Sequence, residues 1–444
     1  MQRRDALRLI GHGGVGLTLG SLQQSLMAAT TDAQDYRAVV CIFLYGGNDQ
    51  SNTVVPVGAS AYAQYKAARP TLALASNTLL PLTGTTLGLH PNLTGIQSLY
   101  NAGKAALVAN VGPLVVPINK SQWNYGGQAS VTVPIQLFSH SDQQAHWHSA
   151  TPTQTSRTGW LGRLTDRVGP AYNSAATAPY VISAGAPNLL TTGSAGQAFQ
   201  LAGGGLPASP RFATNNFGAA PASTLSTRIL NTSSDNLLLR QWGQIGAKAF
   251  QTSSVVGTAM NTVSISTAFP ATKLGQQLKS IATLIGARAR LGQGRQVFYA
   301  SMIGFDQHDN LLVDHAKKLK ELNDAVKAFY DATVELGVAS NVTSFTASDF
   351  GRALLSNGKG SDHGWGGHHF VIGGAVAGGK VVGTFPTVAL NGPEDAGQGR
   401  LIPTLATDQY AATIAKWFGA DASALQAALP NLGNFATADL GFLA

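Results

Sequence analysis

Aspartate, histidine and serine residues, which can bind metal ions or attack esters, are concentrated in five short segments of this 444-residue sequence. The first four follow apolar runs and the fifth follows a glycine-rich turn; the segments are residues 45–52, 139–144, 305–308, 348–352 and 361–369. Carboxylates and imidazoles gathered in one place are costly unless a cation joins them. Oxygen and nitrogen ligands without sulfur suit Zn, Mn, Mg or Ca. The sequence therefore predicts one or two divalent metal ions bound by these segments.

Each segment taken singly has a simpler structural interpretation. Asp49 could form a turn, Asp142 could cap a helix, and His308 could lie on the surface. The glycine-rich stretch 362–369 could be an ordinary loop. The recurrence of these residue types after successive apolar runs is what favours a common site.

The apolar runs alternate with helical patterns, which is typical of an α/β protein. Predicted strands are 38–45, 105–111, 135–138, 180–182, 296–303, 342–346 and 370–372, and predicted helices are 274–291, 311–336 and 408–418. This order predicts a mostly parallel central sheet with helices on both faces. Ligands of such sheets bind beyond the carboxyl ends of the strands. We expect a single α/β domain over residues 36–444, with an inserted cap or loop region over 187–234, where Gly, Ala, Ser and Asn dominate.

The N-terminus has the three-part layout of a removable export signal. Arg3 and Arg4 precede a weakly apolar, glycine-rich stretch that ends among small residues near Ala28 and Ala29. Paired arginines before such a segment favour the twin-arginine type. We therefore expect a twin-arginine signal peptide over residues 1–30, the twin-arginine export machinery as a partner, and a periplasmic or secreted location.

Composition argues against several other classes of protein. After the signal segment, no stretch approaches the roughly 18 uninterrupted apolar residues that a membrane span requires. A single cysteine excludes an intramolecular disulfide and a thiolate metal cluster. This residue, Cys41, lies in an apolar run, and we expect it to be a buried core thiol. Charged residues make up only 11% of the chain, and the net charge of +8 is scattered rather than gathered in a patch. We therefore expect no nucleic-acid partner.

Seven motifs together resemble a known family. They are FLYGGNDQSN, SHSDQQ, GWLGR, FDQH, TASDFGR, SDHGWGG and the glycine–valine pattern over residues 373–383. The chain resembles the exported bacterial family called domain of unknown function 1501, which is placed in the alkaline phosphatase superfamily. The resemblance implies an alkaline-phosphatase-like domain that uses two metal ions to cleave phosphate or sulfate esters through a Ser, Thr or formylglycine nucleophile.

The resemblance also implies roles for individual residues. Asp49 matches the metal aspartate that follows the first strand. Ser139 is the candidate nucleophile, because metal coordination could lower its pKa, and Ser141 is either the alternative or a helix cap. Arg352 could clamp the oxygens of a phosphate or sulfate, or could pair with the neighbouring Asp349.

For the metal ions, the resemblance offers more ligands than one ion needs. Asp306 and His308 resemble the ligands of one metal, and Asp362 and His363 resemble those of the other. Asp349 competes with Asp362 for one position. The remaining histidine position has three candidates, namely His140, His368 and His369.

The leading interpretation is an exported metal-dependent hydrolase of a small-molecule or polymer-borne phosphate or sulfate ester. Formylglycine chemistry is disfavoured because Cys41 lies inside a strand-like run. The alternative is a non-catalytic envelope protein that keeps the fold for binding or assembly. A glycosidase with paired carboxylates ranks last, because such a site does not call for clustered histidines.

Overall fold

The computed structural model describes residues 35–123, 129–201 and 236–444. The predicted signal segment at 1–30 and most of the predicted insertion at 187–234 therefore lie outside the described residues. In the part that is described, no helix is both long enough and apolar enough to span a membrane.

Fourteen strands are present in the described ranges. They are β1 (Arg37–Leu44), β2 (Val54–Pro56), β3 (Leu80–Pro81), β4 (Leu87–Leu89), β5 (Ala105–Gly112), β6 (Val181–Ser183), β7 (Phe199–Gln200), β8 (Arg295–Met302), β9 (Val342–Ser348), β10 (Arg352–Ser356), β11 (Ser361–His363), β12 (Gly367–Gly373), β13 (Val381–Val382) and β14 (Leu405–Ala406).

Nine of these strands form one central sheet in the order β13-β5-β12-β9-β1-β8-β6-β7, with β14 beside β5. Within this sheet only β12 runs antiparallel to its neighbours. Strands β2, β4 and β3 form a small antiparallel sheet, and β10 pairs with β11. The prediction of a mostly parallel central sheet is confirmed.

Ten α-helices are present in the same ranges. They are α1 (Gln50–Thr53), α2 (Ala59–Ala68), α3 (Thr94–Asn101), α4 (His140–Ser149), α5 (Trp160–Tyr172), α6 (Leu237–Met260), α7 (Lys273–Gly286), α8 (Leu311–Glu335), α9 (Thr407–Phe418) and α10 (Ala422–Ala428).

Helices cover both faces of the sheet, which explains why its central strands are apolar on both sides. Val40 and Ile42 of β1 share a core with helices α3, α7 and α8. The alternate residues Val39, Cys41 and Phe43 share a second core with α5, α9 and α10. This alternation follows from the period of two residues along a strand. The predicted burial of Cys41 is confirmed.

Two local predictions are wrong. Residues 135–138 form a turn instead of a strand, and Gln136 and Phe138 have positive φ angles of 49° and 71°. Leu137 and Phe138 of this run pack on a small core that contains Trp365, whereas Ile135 is exposed. The helix predicted over 274–291 ends at Gly286, because glycine is a poor helix former.

Candidate metal centre

The candidate site lies where β1, β8 and β9 end at the same edge of the sheet. Leu44 is level with Met302 on one side and with Ser348 on the other. A Cβ atom at Gly46 would lie 2.3 Å from the backbone nitrogen of Asp306. Glycine at position 46, with a φ of 114°, is therefore required for the loops after β1 and β8 to pass each other.

Three histidines surround the carboxylate of Asp306. Its Oδ1 lies 2.9 Å from Nε2 of His308 and 3.5 Å from Nε2 of His363. Its Oδ2 lies 3.4 Å from Nε2 of His140. The Nε2 atoms of His308 and His363 are 3.0 Å apart. We call these four residues the histidine–aspartate cluster.

His140, the first residue of α4, is oriented by a buried carboxylate. Its Nδ1 lies 2.7 Å from Oδ2 of Asp349, which has no solvent exposure and also accepts hydrogen bonds from Gln144 Nε2 and the Gly46 backbone N–H. A carboxylate only accepts, so Nδ1 carries the proton. Nε2 of His140 is buried and has no hydrogen-bond partner among the described residues. The hydrogen bond to Asp349 raises the pKa of His140.

His363 is oriented in the same way by a backbone carbonyl. Its Nδ1 lies 2.7 Å from the carbonyl oxygen of Phe138, so Nδ1 donates and the lone pair is on Nε2. Burial lowers the pKa of His363, and the nearby His140 and Arg352 lower it further. The imidazole is thereby kept in the neutral form that binds metal ions.

Arg352 keeps the carboxylate of the cluster ionised. Its Nη1 lies 3.1 Å from Oδ1 of Asp306. Burial alone would raise the pKa of Asp306, but Arg352 and the neighbouring His140 and His308 lower it below its usual value.

The side chains present fit a divalent cation. In the described part of the chain, potential ligand atoms lie within 4.8 Å of one another in two groups, one of His140, Asp306 and His363, and one of His308, Asp362 and His363. Ligands about 2.1 Å from a tetrahedral zinc ion are about 3.4 Å apart. The distances around Asp306 are close to that value. A protonated Nδ1 bonded to a carboxylate or carbonyl is also the usual outer contact of a metal-binding histidine.

Other residues predicted as metal ligands lie in different surroundings. Asp49 belongs to neither group, and its Oδ2 lies 2.6 Å from Nη2 of Arg69. Asp349 contacts the cluster through Nδ1 of His140. His368 and His369 are buried on β12, where Nδ1 of His368 accepts the N–H of Asn110. Asp362 Oδ2 lies 3.0 Å from Nη2 of Arg400.

The serine segment forms the start of α4. Ser139 is the N-cap residue, and its hydroxyl donates to Oδ2 of Asp142 at 2.6 Å. The prediction that Ser141 caps a helix starting at Asp142 is wrong, because the helix starts at His140 and includes Ser141. Ser139 therefore directly precedes a residue of the histidine–aspartate cluster.

Arg352 has no solvent exposure, and its polar atoms face the protein. Nη1 donates to the carbonyl of Gly46 at 2.8 Å as well as to Asp306, while Nε and Nη2 donate to the carbonyl of Ser361. Of its two predicted roles, ion pairing is the one that these contacts supply, although the partner is Asp306 in place of Asp349.

Several contributors to the site were missed. Arg69 is the C-cap residue of α2, Gln144 closes the SHSDQQ motif but was given no role, and Arg400 lies outside the seven motifs. Phe138 contributes through its backbone carbonyl, so the type of its side chain does not reveal the contact. The sequence offered only one clue, the arginine of the GR pair at 399–400, which follows a glycine-rich turn.

A family model described as "Protein of unknown function (DUF1501)" matches residues 36–425. The chain belongs to this family. No curated protein matches the chain in a sequence comparison.

Some solved structures are similar to the chain. The PsFucS1 sulfatase from Pseudoalteromonas sp. is 9% identical with a TM-score of 0.38, and the match covers 89% of this chain and 72% of the sulfatase. A 2-O GAG sulfatase, BT1596, is 9% identical with a TM-score of 0.30, covering 87% of this chain and 71% of the other. A mutant of the alkaline phosphatase PafA is 12% identical with a TM-score of 0.26, covering 72% and 63%. Superpositions this loose carry no argument about activity.

Proposed function

We propose that this DUF1501 protein is an exported, divalent-metal-dependent hydrolase of phosphate or sulfate esters. The observation that carries the proposal is the histidine–aspartate cluster, and above all Nε2 of His140. This atom is buried beside the carboxylate of Asp306 and has no hydrogen bond in the part of the chain that the structure describes. A buried polar atom without a partner is costly, and a bound cation would remove that cost. The export part of the proposal is supported by the twin-arginine pattern in residues 1–30.

His140, Asp306 and His363 would hold the cation. When bound, it would supply Lewis-acid charge for the oxygens of an anionic ester. The side chains beside the cation would supply the nucleophile and the base.

Ser139 would act as the nucleophile. Its hydroxyl already donates to Oδ2 of Asp142, so this carboxylate can accept the proton as Ser139 Oγ bonds to phosphorus or sulfur. The bond from phosphorus or sulfur to the ester oxygen breaks, and the departing oxygen takes a proton from water. Water then hydrolyses the phosphorylated or sulfated serine. The N-terminus of α4 supplies backbone N–H groups for the oxygens of the ester.

Hydrolysis of 4-nitrophenyl phosphate and 4-nitrophenyl sulfate tests the nucleophile. We expect Ser139→Ala and Asp142→Asn each to lower kcat by at least about 100-fold, the smaller end of the effect of losing a catalytic acid or base. Ser141→Ala is the comparison variant. Ser141 is exposed, and its hydroxyl lies 3.2 Å from Oγ of Ser139 and 3.3 Å from Oδ2 of Asp142, so its loss should lower kcat far less than the loss of Ser139. Equal loss in both serine variants would contradict the role of Ser139.

Metal analysis of protein purified without added metal tests the cluster. Asp306→Asn should lose the metal, because it removes the carboxylate that all three histidines of the cluster approach. Asp309→Asn should keep it, because the side chain of Asp309 is 72% exposed and its ion-pair partner is Lys359. Bound metal without turnover of either ester would instead favour the non-catalytic binding role, and absence of metal would refute the hydrolase.

A further inference from the structure

The resemblance to the alkaline phosphatase superfamily implies two metal ions, and the residues of this chain do not fit two. We propose that the protein binds a single divalent cation and that the buried guanidinium of Arg69 takes the place of a second cation at Asp49. This inference rests on the metal centre of the proposed function and concerns the number of ions it holds.

The first argument is the ion pair at Asp49. Nη2 of Arg69 lies 2.6 Å from Oδ2 of Asp49, and neither side chain has any solvent exposure. A guanidinium in this position already compensates the carboxylate. A dication bound to the same carboxylate would be repelled by Arg69 at short range and in a medium of low dielectric constant.

Neighbouring contacts hold Arg69 in place. Arg69 ends α2, and its Nη1 donates to the carbonyl of Ala353 at 3.4 Å. One turn earlier, the hydroxyl of Tyr65 donates to Oδ1 of Asn52 in α1 and accepts the N–H of Leu74. Helix α2 is thus fixed against the helix that follows Asp49. These contacts keep the guanidinium of Arg69 beside Asp49.

The second argument is the single lone pair of His363. Both groups of potential ligands contain His363. Its Nδ1 donates to the carbonyl of Phe138, so Nε2 is the one nitrogen left for a metal ion. A neutral imidazole nitrogen has one lone pair and binds one ion. The two groups are therefore alternatives, and one cation excludes the other.

The buried Nε2 of His140 favours the group that contains His140 and Asp306. Ion pairing does not separate the two groups, because Oδ1 of Asp306 also lies 3.1 Å from Nη1 of Arg352. Asp362, the carboxylate of the other group, lies 3.0 Å from Nη2 of Arg400, and its side chain is 55% exposed. Oδ2 of Asp306 faces Nε2 of His140, which is buried and unpartnered within the described ranges. The charge of Arg69 beside Asp49 and the buried Nε2 of His140 thus point to one place for a cation, between His140 and Asp306.

Metal stoichiometry after equilibrium dialysis against Zn²⁺ or Mn²⁺ tests this inference without an activity readout. We expect one ion per chain in the wild type and none in His363→Ala. The double variant Asp49→Leu with Arg69→Met removes both buried charges together, which proteins commonly tolerate better than the loss of one partner. It should keep one ion, with an affinity within a few-fold of wild type.

Two ions per wild-type chain, falling to one in the double variant, would overturn the inference while leaving the metal-dependent hydrolase intact. No ion in the wild type would overturn both. If the double variant does not fold, as judged by circular dichroism, the wild-type stoichiometry and the His363→Ala variant still decide between one ion and two.

Discussion

Asp349 and His140 form a pair in which a buried carboxylate fixes the orientation of a half-buried imidazole. The Nδ1 to Oδ2 distance is 2.7 Å, and the opposite nitrogen faces Asp306. A hydrogen bond to the second ring nitrogen of a metal-binding histidine commonly changes metal affinity by about 10- to 100-fold. The residue that makes this bond is therefore nearly as important for metal binding as the ligand.

Replacing Asp349 by asparagine should weaken metal binding by about 10- to 100-fold, because the amide loses the charge that makes His140 a stronger ligand. The hydrogen bond to Asp349 raises the pKa of His140, so the pKa should fall towards its usual value in the variant. Competition with a metal-sensitive dye measures the affinity, and NMR titration of the metal-free protein measures the pKa. A variant that is folded and binds metal as tightly as wild type would contradict the role of Asp349.

At the scale of residues, the sequence indicated which segments contain the site residues, but it did not indicate which contacts each side chain makes. Asp306 and His308 could be predicted together because they follow one strand. The pairing of Asp49 with Arg69 could not, because it depends on how α2 packs against the loop after β1. The sequence pattern alone does not give the distance between Asp49 and Arg69.

At the scale of elements, Arg163 of α5 joins the ends of two other helices. Its Nη2 donates to the carbonyls of Ser149, the last residue of α4, and Ala428, the last residue of α10, at 2.5 and 2.6 Å. Its Nη1 donates to the carbonyl of Thr158 at 2.8 Å. Cations are favoured at helix C-termini, where carbonyls lack intrahelical partners. Because α4 begins at His140, these contacts also hold one element of the metal centre.

Arg163→Met should lower the free energy of unfolding by about 3 kcal/mol, since several carbonyls lose a charged donor. Urea unfolding monitored by circular dichroism measures this change. Arg167→Met on the same helix is the control, because Arg167 is exposed and should change stability by no more than about 0.5 kcal/mol. Similar losses in both variants would mean that the helix as a whole, and not the contacts of Arg163, sets the stability.

Element positions were largely predictable, because the period of apolar residues decides between strand and helix. Strands β1 and β8 and helix α8 lie within a residue or two of their predicted bounds. The turn at 135–138 was not predictable in this way. Leu137 and Phe138 pack on the small core that contains Trp365, and the backbone of the turn presents the Phe138 carbonyl to His363.

On the scale of the whole molecule, six of the nine histidines in the described ranges are buried. They are His90, His146, His148, His315, His368 and His369. Burial lowers the pKa of His148, His368 and His369 to about 3 and that of His90 to about 4. The stability of the folded protein therefore requires these buried imidazoles to remain neutral.

The folded protein should lose stability as the pH falls below about 6.5, the usual pKa of histidine. Below that value the unfolded chain binds protons that the buried imidazoles do not bind until pH 3 to 4. Each such histidine lowers the free energy of unfolding by up to about 1.4 kcal/mol per pH unit across this window. Urea unfolding of the metal-free protein at pH 7, 6 and 5 measures the slope.

His369→Phe isolates one of these contributions. The ring of His369 packs 4.8 Å from Trp147 and 5.9 Å from Tyr410, so an aromatic side chain of similar size keeps the packing. The free energy of unfolding of the variant should fall less steeply as the pH is lowered, and the difference in slope should equal the contribution of one histidine. An unchanged slope would show that His369 does not take up a proton on unfolding.

Anomalous diffraction from crystals soaked in Zn²⁺ or Mn²⁺ tests the metal centre most directly. We expect a single peak about 2.0–2.2 Å from Nε2 of His140, Nε2 of His363 and a carboxylate oxygen of Asp306. A second peak coordinated by Asp49, or no peak at the histidine–aspartate cluster, would contradict it.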